Sequence, residues 1–548
     1  MRYTKLISMM APLLVSLAGC GGGGDNPGPP TQPPPPVAIT KAEAFQFLNQ
    51  TTFGATEPEA QRVINMRYEA WIDDQLRKAP SLQLPHLQSL AVPGVMPFQL
   101  QADRVDIWFR NALHGDDQLR QRVAFALSEV FVVSHIGSSL NNQPWSLGSY
   151  HDVLAQHAFG NFRDLMEAVT LHPAMGVYLS MLGNEKPNPA LNIRPDENYA
   201  RELMQLFSIG LVELNIDGSV RTDDQGAPIP TYDQSIIEGF AHVFTGWTYA
   251  EAPSFRQARP TYTNQVQPMQ LYPDFHDSGD KTLLNGTVLP AGQTGQQDLT
   301  GALDNIFEHD NVGPFIAIRL IQRLTASNPS PGYVERVARV FNDNGAGVRG
   351  DLGAVVKAIL MDVEARPAMH MEIDGKVKEP LLRLTQLWRA YDAQSSSGRY
   401  PLLASYIFFG QGPLQSPSVF NFFSPFYAPP GEIRDSSLVA PELAIATEYQ
   451  NTLVTNYFFY QAFALNHTSG TLEEDDVFIN FQQEMDTASD TDALIDMVAG
   501  KLLGGEISGT LRTEISGMLA RVPDADAAIR AAETIYLIAT SPEFAYQR

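Results

Sequence analysis

From Ala38 onward, apolar residues recur every three or four positions over most of the chain, the spacing that holds one face of a helix against a core. The run Lys41 to Leu48 leads into Asn49-Gln50-Thr51-Thr52-Phe53-Gly54-Ala55-Thr56. There Thr56 and Glu59 fit a capping box, and helices are predicted across Glu57 to Leu76. A long helix is predicted from Arg104 to Ser134, with Ile107, Ala124, Leu127 and Phe131 on its buried face, and further helix from Asn161 to Leu182. Asp217-Gly218 is a turn-favouring pair followed by alternating sequence, so a hairpin is expected there, with Thr231 and Gln234 capping the helix that follows. No proline-rich or low-complexity linker interrupts this stretch. The expected fold class is mainly α: one large compact multi-helix body over residues 39–548 with a few short strands or hairpins. The alternative is two closely packed subdomains dividing near Pro260.

The start of the chain follows another pattern. Arg2 and Lys5 precede an apolar run from Leu6 to Leu17 that is too short to span a bilayer as a helix, so residues 1–19 read as a secretory signal peptide. It ends in Leu17-Ala18-Gly19-Cys20, which resembles the lipobox of bacterial lipoproteins, where the cysteine sulfur takes a diacylglycerol. Cys20 is thus the expected lipidation site and membrane anchor, the alternative being an ordinary secretory leader with an incidental cysteine. The Gly- and Pro-rich residues 20–38 that follow read as a disordered tether, able to reach roughly 50 Å if extended. The expected location is the cell envelope, and the outer membrane if the cell is Gram-negative, because Gly21 and not an aspartate follows the cysteine.

Composition narrows the chemistry. The 548 residues, 44% hydrophobic, suit a packed globular core, and the net charge of -24 argues against a nucleic-acid partner. Cys20 is the only cysteine, so once it carries lipid no thiol remains for catalysis, zinc ligation or a disulfide. No nucleophile elbow, zinc-protease helix, P-loop or EF-hand loop occurs, and no two histidines stand at i and i+4. No metal site is expected on a single helix, one assembled across distant segments stays open, and no pattern names a cofactor. Gly345-Ala346-Gly347-Val348-Arg349-Gly350 matches a dinucleotide fingerprint by letter, but a helical run from Tyr333 to Phe341 precedes it where a strand is required. It is expected to be a loop between helices, with Asp351 capping the second.

Four segments gather polar groups. On the helix predicted around Tyr199, Leu203, Leu206 and Phe207, the residues Asn198, Arg201, Glu202 and Gln205 form an adjacent ridge, where Glu202 suits proton transfer and Arg201 suits substrate orientation. A structural ion pair between helices is the competing account. Next, a helix ends at Gly246 and leaves Trp247 to begin a loop, with His242 expected on the solvent side. His276, Asp277 and Lys281 cluster on a loop, although adjacent His and Asp side chains commonly diverge. Finally, His309 lies at the start of a helix whose Arg319, Gln322 and Arg323 form another ridge; anion binding and ordinary capping explain it equally.

Several of these segments together resemble the bacterial domain of unknown function 1800. They are residues 49–56, Glu197-Asn198-Tyr199-Ala200-Arg201-Glu202-Leu203, Phe244-Thr245-Gly246-Trp247, residues 276–282 and Ile318-Arg319-Leu320-Ile321-Gln322-Arg323-Leu324. Lys378-Glu379-Pro380, Gln415-Ser416-Pro417-Ser418-Val419-Phe420 and Thr540-Ser541-Pro542-Glu543-Phe544 extend the resemblance, which spans Ala42 to Arg548. It departs from the family pattern at Phe420-Asn421-Phe422-Phe423, where many members have Trp or Gly. The resemblance implies export and an exported partner of the domain of unknown function 1501 family, which is similar to alkaline phosphatases and sulfatases; it implies no catalytic residues. Two functions are carried forward. One is a tethered accessory or binding component acting with an exported partner. The other is an envelope or extracellular hydrolase with Glu202, His276 and Asp277 as acid and base. In the second, Asn198, Arg201, Trp247, Lys281, His309, Arg319 and Arg323 bind substrate. Convergence of Glu202, His276 and Arg319 in one pocket is the geometric test between them.

Overall fold

The computed structural model describes residues 38–547 except 91, 93, 367–374 and 465–472, so the expected leader, Cys20 and nearly all of the tether lie outside the described residues. Residues 39–548 form one compact unit whose interior is built from apolar side chains.

Side-chain caps start many of the helices. Thr40 opens α1 (Lys41–Thr51) by accepting from Glu43 N while Glu43 returns to Thr40 N, and Thr56 opens α2 (Glu57–Met66). Arg67, at φ 69°, turns the chain into α3 (Tyr68–Leu76), and α4 (Leu84–Leu90) follows. The single helix expected over 104–134 is two, α5 (Pro97–His114) and α6 (Gln118–Ser128). They part at Gly115, because the Asp117 carboxylate leaves helical registry to accept from Ser81 N, Ser81 Oγ and Gln121 Nε2. After α7 (Pro144–His157), the stretch 161–182 likewise divides into α8 (Phe162–Thr170) and α9 (Pro173–Tyr178), since Pro173 cannot continue a helix.

The ridge helix α10 (Asn198–Gln205) precedes α11 (Gln234–Val243). Between them the expected hairpin turns at Asp217-Gly218, with bridges from Leu214 to Val220 and from Val212 to Pro230. The cap of α11 is Asp233, not Thr231; the Asp233 carboxylate takes Ser235 N and Ile236 N, whereas Thr231 donates to Gly210 O. Short antiparallel pairs join β1 (Trp247–Thr248) to β2 (Gln270–Leu271) and β3 (Lys281–Thr282) to β4 (Val288–Leu289), so Trp247 begins a strand.

Helices α12 (Gly295–Phe307), α13 (Val312–Leu324), α14 (Pro331–Asn342) and α15 (Leu352–Met361) complete the larger apolar cluster. The glycine-rich segment is a loop between α14 and α15, with Asp351 capping α15 through Ala354 N. Beyond it, β5 (Lys376–Val377) pairs with β6 (Tyr546–Gln547), and α16 (Pro380–Ala390) packs with α5 and the C-terminal helices into a second cluster. Phe53, just after α1, belongs to this second cluster, its ring meeting Trp108 edge-on at 5.2 Å. Among the described residues no helix is long and apolar enough to cross a membrane.

Candidate functional site

Two places concentrate polar chemistry. The first is a cleft of about 560 Å³, within the range of roughly 300–1,000 Å³ that small-molecule sites occupy. The chain leaving α6 supplies Val130 and Val132, the end of α10 supplies Leu206, and α13 supplies Phe315, Ile318, Arg319 and Arg323. The segment 419–426 closes the far side, and its Phe420 and Phe426 stand exposed at the mouth. Three of the motif segments singled out in the sequence therefore contribute here: Ile318, Arg319 and Arg323 of one and Val419 and Phe420 of another in the wall, and Glu379 of the third behind it.

Behind the cleft lies a buried array of three carboxylates and three cations. Glu129 Oε2 is 3.3 Å from Arg323 Nη1, and its other oxygen accepts from Gln411 Nε2 at 3.1 Å and Asn421 Nδ2 at 3.4 Å. Gln411 Nε2 also donates to Glu379, whose other oxygen is 3.4 Å from Lys376 Nζ. Lys376 pairs with Glu442 at 3.0 Å and donates to the carbonyls of Gln322 and Arg323, and Arg122 donates to Arg323 O at 2.6 Å. Buried charges persist only when paired in this way. Burial, reinforced by the Glu379 charge, still pushes the Glu129 carboxyl up against the opposing pull of Arg323, while Lys376 and the two arginines hold Glu379 down despite its burial. Arg323 lies over the Phe423 ring at 4.6 Å.

Arg319 is placed differently from its neighbour. Its guanidinium sits between Phe315, 4.9 Å away, and Phe426, 4.6 Å away, and donates to Gln322 Oε1 at 3.0 Å. Among the described residues no carboxylate pairs with it. Burial lowers its pKa to about 9, and Arg323 adds to the effect.

The second place joins α11, α12 and the loop before β3. His276 and Asp277 are adjacent but point apart, and each finds a partner on a helix. His276 Nε2 meets Asp298 Oδ2 at 2.9 Å and its Nδ1 faces Thr245 O at 3.0 Å, while Asp277 accepts from His242 Nδ1. Lys281 Nζ reaches the same Asp298 oxygen at 2.7 Å and donates to Asp277 O and Gly279 O. His276, Lys281 and Asp298 are all buried. The hydrogen bond from His242 outweighs burial and holds the Asp277 carboxyl down at about 2, with Gly279 N assisting. His242, expected in solvent, is half-buried because this loop folds over α11 and brings Asp277 to it.

The remaining candidates lie elsewhere. Glu202 is buried in α10 with Oε2 unpartnered among the described residues, and burial raises its carboxyl against the pull of Arg201. Arg201 pairs at the surface with Glu197 at 3.0 Å, and Asn198 is exposed. Trp247 is buried with its indole N–H unpartnered among the described residues. His309 caps its own turn, Nδ1 accepting from Asn311 N at 3.1 Å, and burial lowers its pKa. Glu202, His276 and Arg319 thus belong to separate contact networks, and only Arg319 and Arg323 of the proposed set line the cleft.

Sequence reading missed Arg122, Glu129, Lys376, Gln411 and Glu442, and named Glu379 and Asn421 only inside family segments. The one available signal was Glu129 itself, a lone acid against the apolar run Val130-Phe131-Val132-Val133. Among the described residues no group of three or more His, Cys, Asp or Glu side chains is placed to hold a metal ion.

No curated protein and no solved structure matches this chain. Residues 46–546 match the family described as protein of unknown function (DUF1800), and the chain belongs to that family.

Proposed function

We propose that this protein is an exported lipoprotein, held at the cell envelope through acylated Cys20, that works as an accessory or binding component, with the cleft beside α13 as its binding surface. The observation that carries the reading is the cleft: apolar walls, an exposed aromatic mouth and one cationic end, in a volume suited to a small ligand. An exported protein of the domain of unknown function 1501 family is the partner the family resemblance suggests. Two measurements test the proposal. Mass spectrometry of the mature chain is expected to find acyl mass on Cys20; a mature chain starting elsewhere overturns the anchoring. Thermal-shift screening of the compact unit from residue 39 is expected to find apolar ligands that raise its melting temperature, since a ligand bound only by the native state stabilises it. Failure of every apolar ligand in the screen overturns the binding reading.

A second reading, an envelope hydrolase, loses the expected set of Glu202, His276 and Asp277, which do not meet Arg319 in one pocket, and rests instead on Glu129. Glu129 is part of the cleft wall and burial raises its carboxyl, the direction a general acid needs near neutral pH, with its oxygens held by Gln411, Asn421 and Arg323. Glu129→Gln separates the two readings: it abolishes hydrolysis if Glu129 is the acid and leaves ligand binding in place.

A further inference from the structure

Which ligand the cleft takes is written in the mismatch between its two arginines. The deduction rests on the reading of the cleft as a binding site. Arg323 has Glu129 beside it at 3.3 Å and belongs to an array that sets the carboxyl groups of Glu129, Glu379 and Glu442 against Arg122, Arg323 and Lys376. Arg319 stands outside that array. Its planar group is clamped by Phe315 and Phe426, and it spends one donor on Gln322. A half-buried guanidinium held against aromatic rings in an apolar cleft has lost part of its hydration, and an anion compensates that loss best. Its fixed fork suits the paired oxygens of a carboxylate or phosphate.

The walls select the rest of the ligand. Val132, Leu206, Ile209, Val212, Ile318 and Val419 offer hydrocarbon contact along the cleft; of the uncharged polar side chains that also line it, Asn421 is bonded to Glu129 and Ser424 accepts from Phe426 N, which leaves Gln205. At the mouth, Phe420 is 58% and Phe426 68% exposed, so an alkyl chain can enter over an apolar rim. A polar sugar or a peptide of mixed side chains would leave its own donors and acceptors unsatisfied against such walls. We infer that the cleft binds an amphiphile with one anionic head, a carboxylate or phosphate, and a long hydrocarbon chain, the head on Arg319 and the chain along the aliphatic wall.

The test titrates the compact unit from residue 39, by calorimetry and below micelle-forming concentrations, with sodium laurate, dodecyl phosphate, uncharged monolaurin and sodium acetate. One site is expected for laurate or dodecyl phosphate, roughly tenfold to a hundredfold tighter than monolaurin, with no binding of acetate. The tighter of the two anions identifies the head. Arg319→Gln is expected to bring the anions down to the affinity of monolaurin and to leave monolaurin unchanged. Phe420→Ser, at an exposed rim position that the core does not use, is expected to weaken all three chains alike. Equal binding of laurate and monolaurin by the wild type, or an anion preference that survives Arg319→Gln, overturns the inference while the cleft remains a binding site. Chains that bind undiminished in Phe420→Ser also overturn it. If no chain binds, the reading of the cleft as a binding site fails with it.

Discussion

Asp298 is the residue on which the His276 loop hangs, and its loss is calculable. Its carboxylate is fully enclosed, with Oδ2 taking Lys281 Nζ at 2.7 Å and His276 Nε2 at 2.9 Å. In Asp298→Ala, Lys281 keeps the carbonyls of Asp277 and Gly279 but loses the carboxylate it pairs with at 2.7 Å, and it is 3% exposed. Removing one partner of a buried pair costs about 3–5 kcal/mol. An unfolding entropy of about 2.1 cal/mol/K per residue over about 510 residues gives roughly 1.1 kcal/mol/K, so the melting temperature should fall by about 3–5 °C. The assay is calorimetric melting of the compact unit, with Lys281→Met and the double variant measured beside it. If the damage is the stranded ammonium, the double variant melts above Asp298→Ala, because it removes the charge that Asp298 neutralised. The reasoning is refuted if Asp298→Ala melts within about 1 °C of the wild type, or if the double variant is no better than Asp298→Ala.

Two further outcomes follow from the geometry. Burial raises the Glu129 carboxyl from 4.5 to about 7, so the folded protein binds more protons than the unfolded chain between those values. That contribution is complete below pH 4.5 and is lost as pH rises through about 7. Glu129→Gln, neutral throughout, should therefore melt higher than the wild type at pH 8 and alongside it at pH 4; an equal drop at both would contradict the account. Gly239→Ala in α11 would ordinarily stabilise a helix, yet the added Cβ would lie 2.0 Å from Thr282 O in β3. A destabilisation of about 1–3 kcal/mol is expected in chemical denaturation, and a gain in stability would show that α11 does not rest on β3 as described.

The helical class was legible because periodicity is a local property: the side chains that define it lie within one element. Boundaries were less legible where a tertiary contact decided them. Nothing between Arg104 and Ser134 announces that Asp117 will turn aside to hold Ser81, thirty-six residues earlier in the chain. Likewise Thr231 and Asp233 are both competent caps, and Thr231 was removed from the role by Gly210 O, a group no local pattern names.

The candidate site was legible only where its members share a helix. Arg319 and Arg323, at i and i+4, were predicted to fall on one ridge, and they line one cleft. His276 and Asp277 are nearer in sequence but go to different partners, because neighbouring residues in extended backbone face opposite sides. Glu129 marks the limit of what one chain position can say. An acid against Val130-Phe131-Val132-Val133 is destined for burial, and a buried carboxyl must be neutralised, hydrogen-bonded or paired. That much was deducible from residues 129–133. The partners come from positions 323, 411 and 421, and only the packing of α13 and the 411–426 segment against the end of α6 could select them. The sequence therefore states that Glu129 requires a partner, and the fold decides that the partner is an arginine at the wall of an apolar cleft.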